Sequence, residues 1–218
     1  MGGLSFDGVI FDADGTLFDT ENLMYEVWVE VGEEMNFPYP GREYLDYVGL
    51  NRAAVLSLMK ARYGEGFDGA DFMVRCVERL SRRIEEEGVP LKPGVREILA
   101  FLNERNIPVG LATSTHRVRT ERRLELSGLR AYFQSVTTGD EVSRGKPHPE
   151  IYLTTCEKLG LSPENCLAVE DSKNGILSAR AAGMSVAMIP DMIPPSDDLL
   201  AQVWGRFDSL SDLQNCLK

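Results

Sequence analysis

This sequence predicts an α/β fold, a parallel Rossmann-like sheet interrupted by an all-helical insert, on three observations. Short apolar runs rich in β-branched residues and flanked by turn formers recur at residues 6–12, 107–113, 134–140, 165–171 and 184–190. Runs of this length and composition read as strands buried on both faces. Helical patterns with matching punctuation fill the gaps between the later runs. PGVREILAFLNERN opens with Pro93, PEIYLTTCEKLG opens with Pro149 and stops at Gly160, and NGILSARAAG stops at Gly183. Residues 20–87 carry no strand signal and several amphipathic stripes instead. Alternating strand and helix implies parallel pairing through right-handed crossovers.

The elements follow in chain order. FDGVIFD is the first strand, and the helical insert begins directly after it. One insert stripe is Leu23, Met24, Val27, Trp28 and Val31; a second is Val55, Leu58 and Met59; a third is Met73, Val77, Leu80 and Ile84. The chain returns through VPLKPG, residues 89–94, whose two prolines suit a stiff junction. The expected organisation is therefore a core of residues 1–19 and 88–218 with an insert of residues 20–87. IPVGLAT, QSVTTGD, NCLAVED and MSVAMIP supply the remaining strands, each followed by a polar turn.

Bulk properties exclude several function classes. The 218 residues are 43% hydrophobic, enough for a substantial core, and the formal charge of −11 argues against a partner held through nucleic-acid phosphates. An anionic substrate would need a metal ion or an isolated lysine to hold it against this field. Cys76, Cys156, Cys166 and Cys216 are scattered without a CxxC pair, so reduced thiols are expected rather than a disulfide framework or zinc site. No run approaches a membrane span, and the start lacks a basic segment followed by an apolar one. Phe6 stands where a myristoylation signal beginning at MGGLSF would want Ser or Thr. The expectation is a cytoplasmic protein with no membrane or nucleic-acid partner and, by default, a monomer.

Ligands of parallel α/β sheets sit beyond the carboxyl ends of the strands. There the chain places Asp12 and Asp14, then Thr113, Ser114 and Thr115, then a loop with Lys146, then Glu170 and Asp171. Like charges gathered on one sheet edge repel unless a cation neutralises them. All-oxygen ligands point to Mg²⁺, with Asp12 and Asp171 as holders and a phosphate completing the shell. A second carboxylate is then free to attack phosphorus, giving an aspartyl phosphate. Lys146, the Thr113 hydroxyl and turn amides near Ala13 and Ser114 would support the phosphoryl oxygens.

An isolated Asp-X-Asp is more often a solvated turn, but four strand ends carry complementary chemistry here. FDADGT, LATST, GKPHPEIY and VEDSKNG, with the helical insert after the first strand, resemble the haloacid dehalogenase-like superfamily in its phosphatase and β-phosphoglucomutase branch. The resemblance covers nearly the whole chain. It implies that Asp12 is the nucleophile and Asp14 the general acid and base. It makes Thr113 and Lys146 phosphate ligands, and Asp12, the Asp14 carbonyl and Asp171 magnesium ligands. Glu170 joins the metal directly or through water. The insert becomes a cap domain, with Arg52 matching the part that touches the distal group of a sugar phosphate.

The expected reaction is hydrolysis of a small phosphoester such as a sugar phosphate. Met24 stands where β-phosphoglucomutases carry a cap histidine, and His116 where they carry a lysine, so a phosphosugar mutase is the alternative and a silent binding module a third reading. His116 and His148 lack a second histidine at ligand spacing; His148 is expected to order a helix start. Tyr25, Trp28, Tyr44 and Tyr47 are expected to pack the insert core. The ERRLE run near Glu121 is expected to be an exposed helix face with charge pairs.

Overall fold

The structure, a computed structural model, describes residues 6–37, 41, 43–48, 50, 52–64 and 66–218. Apart from Phe6, the MGGLSF opening lies outside the described residues, as do Gly49 and Asn51 of the stretch leading to Arg52. The chain divides into two compact units, Met1–Asp19 with Val89–Lys218, and Thr20–Gly88.

The first unit is built on six parallel strands: β1 (Gly8–Phe11), β2 (Val109–Thr113), β3 (Ser135–Thr138), β4 (Cys166–Glu170), β5 (Ser185–Met188) and β6 (Gly205–Arg206). Their spatial order is β3-β2-β1-β4-β5-β6. The sequence runs around the first five extend beyond the strands because their outer residues are turn formers. β6 escaped the sequence reading, since two residues carry no periodicity to detect. β1 through β4 are buried along their whole length, as apolar strands covered on both faces must be.

Helices α4 (Val95–Glu104), α5 (Arg117–Ser127), α6 (Glu150–Leu159) and α7 (Lys173–Ala181) connect the strands. α6 and α7 bring Ile151, Tyr152, Cys156, Ile176 and Ala179 onto Ile10, Ala112, Ala168 and Val186 of the sheet. Side chains alternate along a strand, so Val9 and Phe11 face the opposite layer from Ile10. Gly160 ends α6 in the left-handed conformation at φ 70°, as its position after the last apolar residue predicts. Two later helices, α8 (Asp197–Leu200) and α9 (Leu210–Leu217), were not read from the sequence. α9 packs on α4 and buries Leu210 and Leu213.

The second unit contains α1 (Thr20–Glu34), α2 (Arg52–Tyr63) and α3 (Gly69–Glu87). The first two stripes bury Val27, Trp28 and Val31, and Val55 and Met59. The third is rotated from the expected one: Phe72, Cys76, Leu80 and Ile84 are buried, with Met73 and Val77 on its flank. Phe72 turns the helix inward because its ring meets Trp28 edge-on, with centroids 4.7 Å apart. Trp28 also contacts Tyr44 and Tyr47, so these aromatics form core; Tyr25 meets Tyr44 but stays partly exposed. Arg79 and Arg83 of α3 pair with Glu26, Glu30 and Glu34 of α1 at the surface. No helix among the described residues is long and apolar enough to cross a membrane.

Candidate active site

β1 lies between β2 and β4, where the strand order reverses and the loops leaving the carboxyl ends separate. Asp12 is the first residue past β1, tied to the sheet by its N–H donating to the Val169 carbonyl at 2.9 Å. Thr113 closes β2 and Glu170 closes β4, with Asp171 next. Parallel register (Phe11 opposite both Leu111 and Val169) therefore brings these residues to one edge although the chain separates them widely.

Lys146 stands at the centre. Its ammonium donates to Asp12 Oδ1 at 2.5 Å, to Glu170 Oε1 at 2.6 Å and to the Ala112 carbonyl at 3.0 Å. The ammonium also lies over the Tyr152 ring, 5.1 Å from its centroid. Glu170 is fully buried and is a hub: Oε1 also accepts from the Tyr152 hydroxyl at 2.7 Å. Its Oε2 accepts from the N–H groups of Asp171 and Ser172, both at 3.2 Å, and from the Ser172 hydroxyl at 3.1 Å. Gly175 permits this arrangement, because a Cβ there would lie 1.8 Å from Glu170 Oε1.

Asp171 Oδ1 accepts from the Thr16 hydroxyl at 3.0 Å. Asp14 points the other way: Oδ2 accepts from the Thr115 hydroxyl at 2.7 Å, and Oδ1 is bound by the Arg123 guanidinium. Thr113 is buried, and its Oγ1 accepts from the Thr115 N–H at 3.1 Å. Ser114 is exposed in the same turn. Arg52, exposed at the start of α2, belongs to the other unit.

One ammonium faces three carboxylates here, and the proton affinities respond. Burial pushes Asp12 up to about 8 against the pull of Lys146, with Glu170 and Asp14 adding to the rise. Burial raises Asp171 well above the usual carboxylate range, helped by Glu170 and Asp12. Burial alone would lower Lys146, but Asp12 and Glu170 hold it above the ordinary lysine value. Asp12, Glu170 and Asp171 each offer an oxygen within 4.8 Å of the others. Carboxylate oxygens so placed fit a hard divalent cation.

The raised Asp12 carboxyl has a stability consequence. Between its unfolded value of 3.8 and its folded value of about 8, the folded state binds more protons than the unfolded one. Without divalent metal, stability is therefore expected to increase as pH falls through that window and to be lost as pH rises towards 8 and above. Thermal melts in EDTA from pH 5 to 9 check this; a flat or opposite trend contradicts it. Magnesium is expected to remove the dependence, because binding takes the deprotonated ligands.

Several functional neighbours were not read from the sequence. Arg123 belongs to the ERRLE run expected to be an exposed face. The structure confirms charge pairs there, such as Arg117–Glu121 at 2.8 Å, but turns Arg123 inward with only 12% of its side chain exposed. A single inward arginine within a charged helix leaves no periodic trace. Tyr152 lies within GKPHPEIY, where an apolar helix face hid its hydroxyl's partner. His148 accepts from the Glu150 N–H at 3.3 Å and so orders the start of α6, while His116 is exposed.

The family model for haloacid dehalogenase-like hydrolases matches residues 9–189, which spans most of the chain and the ends of β1, β2 and β4 that carry the site. The chain belongs to the haloacid dehalogenase-like hydrolases. Among its relatives in that family, a Thermotoga maritima protein named phosphorylated carbohydrates phosphatase is 37% identical over 82% of each chain. Hexitol phosphatase B of Escherichia coli K12 is 32% identical, over 94% of this chain and 92% of its own. A solved structure from Thermotoga maritima, described as a candidate beta-phosphoglucomutase, is 32% identical, covers 96% of both chains and superposes with a TM-score of 0.78. The parallel six-stranded sheet is thus the Rossmann-like core of a haloacid dehalogenase-like hydrolase.

Proposed function

We propose that this hydrolase is a magnesium-dependent phosphatase of small phosphorylated carbohydrates or related metabolites, acting through an aspartyl phosphate. The observation that carries the reading is Lys146 bridging Asp12 and Glu170, with Asp171 close enough to share a cation. A carboxylate beside an ammonium and a cluster able to hold a cation is equipped to attack phosphorus while the two positive charges offset those of a phosphoryl group. The names of the two phosphatase relatives support the substrate class.

In this reading an Asp12 carboxylate oxygen forms a bond to phosphorus while the bond from phosphorus to the leaving alkoxide breaks. Lys146 offsets charge on the phosphoryl oxygens, and the Thr113 hydroxyl and the turn amide of Ser114 donate to them. Asp14 gives its proton to the alkoxide. To reach the leaving oxygen through Oδ1 it must part from the Arg123 guanidinium that holds that atom. Water then attacks the aspartyl phosphate, Asp14 takes the water's proton, and Asp12 is regenerated. Magnesium would be held by Asp12, Asp171 and the Asp14 carbonyl, with Glu170 alongside, and supplies neutralising charge at the phosphoryl group. The helical unit is proposed to act as a cap that selects the substrate, with Arg52 reading its distal group.

A phosphate-release screen over sugar phosphates, nucleotides and short phosphoesters is expected to show turnover with Mg²⁺ and none with excess EDTA. Release unaffected by EDTA sinks the metal assignment. No release from any member, with an aryl phosphate also inert, sinks the phosphatase reading. The mutase alternative shares the first half-reaction and is favoured by the likeness to the candidate beta-phosphoglucomutase. Glucose 6-phosphate rather than free phosphate from β-glucose 1-phosphate would decide for it.

A further inference from the structure

Asp191 lies in the turn after β5 with only 8% of its side chain exposed. Its Oδ1 accepts from Lys92 at 2.5 Å, and Lys92 also reaches Asp19 Oδ1 at 3.2 Å. Oδ2 of Asp191 is buried and has no hydrogen-bond partner among the described residues. A buried carboxylate oxygen without a donor is costly, and such atoms in native proteins call for an explanation.

Where that oxygen points supplies one. Gly15 has φ 85°, and a Cβ built on it would come 2.5 Å from Asp171 Oδ2 and 3.2 Å from Asp191 Oδ2. The two oxygens therefore front the same small space, kept open by the missing side chain. Asp171 Oδ1 is engaged by Thr16, so Oδ2 is the oxygen it presents to this space. Two acceptors facing each other need protons and positive charge between them. Lys92 does not provide them, since it is committed to Oδ1. Asp191 is also outside the group of carboxylates whose oxygens lie within 4.8 Å of one another, which contains Asp12, Glu170 and Asp171.

We propose that Asp191, anchored by Lys92, is an outer-shell carboxylate of the metal site, accepting hydrogen bonds from the water shell of the cation across the gap at Gly15. The inference rests on the magnesium reading above. Magnesium dehydrates reluctantly and keeps several waters, and outer-shell partners orient such ligands and set affinity. Asp191 acts through water, so it is a positioning residue. The Lys92 pairing fixes its carboxylate in place and limits the cost of placing another anion beside Asp171.

The test is calorimetric titration of Mg²⁺ into substrate-free protein, with thermal melts with and without Mg²⁺ as the second readout. Asp191→Asn keeps the shape and an acceptor for Lys92 but loses the charge; it is expected to weaken Mg²⁺ binding about tenfold. The rise in melting midpoint caused by Mg²⁺ should shrink with it, whereas a merely structural role would lower the metal-free midpoint and leave that increment intact. Asp191→Ser, free of the amide that Asn sets beside Asp171, should behave likewise if the first variant folds poorly. Wild-type binding with unchanged affinity in both variants overturns the Asp191 assignment alone. Wild-type protein that binds no Mg²⁺ overturns the metal reading, and this inference with it.

Discussion

Asp12→Asn is expected to lower phosphate release by about 10⁴-fold or more, because an amide cannot displace the leaving group and loss of a nucleophile removes the covalent route entirely. The fold should survive. Asparagine has the same shape, its N–H can still donate to Val169, and Lys146 keeps Glu170 and the Ala112 carbonyl. Burial already disfavours the charge on Asp12, with Glu170 and Asp14 opposing it further. The variant should therefore melt at or above the wild-type temperature in EDTA at pH 8. Phosphate-release kinetics with a parallel circular-dichroism melt measure both. Near-normal turnover ends the nucleophile assignment, and a collapsed melt would show Asp12 to be structural.

Lys146→Met carries the second large effect, and its two readouts separate. The ammonium is the counter-ion shared by Asp12 and Glu170, whose side chains are 11% and 0% exposed. Removing one partner from a buried charge cluster leaves the others uncompensated, at about 3–5 kcal/mol. The metal-free variant should unfold at markedly lower urea than wild type. Mg²⁺ should recover part of that loss, since a more negative cluster gains more from a cation. Turnover should remain low even when Mg²⁺ restores folding, because no side chain then replaces the ammonium at the phosphoryl oxygens. Activity returning together with stability would make Lys146 a purely structural counter-ion. Equal stability in the absence of metal would contradict the shared-counter-ion geometry.

Both predictions involve residues visible in the amino-acid order alone, because chemistry at a parallel-sheet edge concentrates in the residue or two after each strand. FDADGT, LATST and VEDSKNG each set oxygen-bearing groups where a buried apolar run ends, so the position of Asp12, Thr113, Glu170 and Asp171 follows from where the strands stop. Lys146 was legible through GKPHPE, where an isolated lysine precedes a helix start. The insert helices were legible through their stripes, although α3 shows the limit. Periodicity names a face to within a residue or so, and ring packing between Phe72 and Trp28 selects which residue leads it.

Other features came from distance and not from pattern. Arg123 and its hold on Asp14, the Tyr152 hydroxyl on Glu170, and the Lys92–Asp191 pair join residues whose partners lie far away along the chain. An arginine on a charged helix or an aspartate in a turn has the same local signature whether it faces water or a carboxylate cluster. β6 and α9 are similar cases, since a two-residue strand exists only because β5 offers it an edge. The order of the amino acids determined the α/β architecture, the helical insert and the carboxylates at the strand ends, because each is encoded by local period and by the residue that ends a strand. Which outer groups complete the site was decided only in three dimensions, because a polar side chain's partner depends on what the folded chain brings within about 3 Å of it.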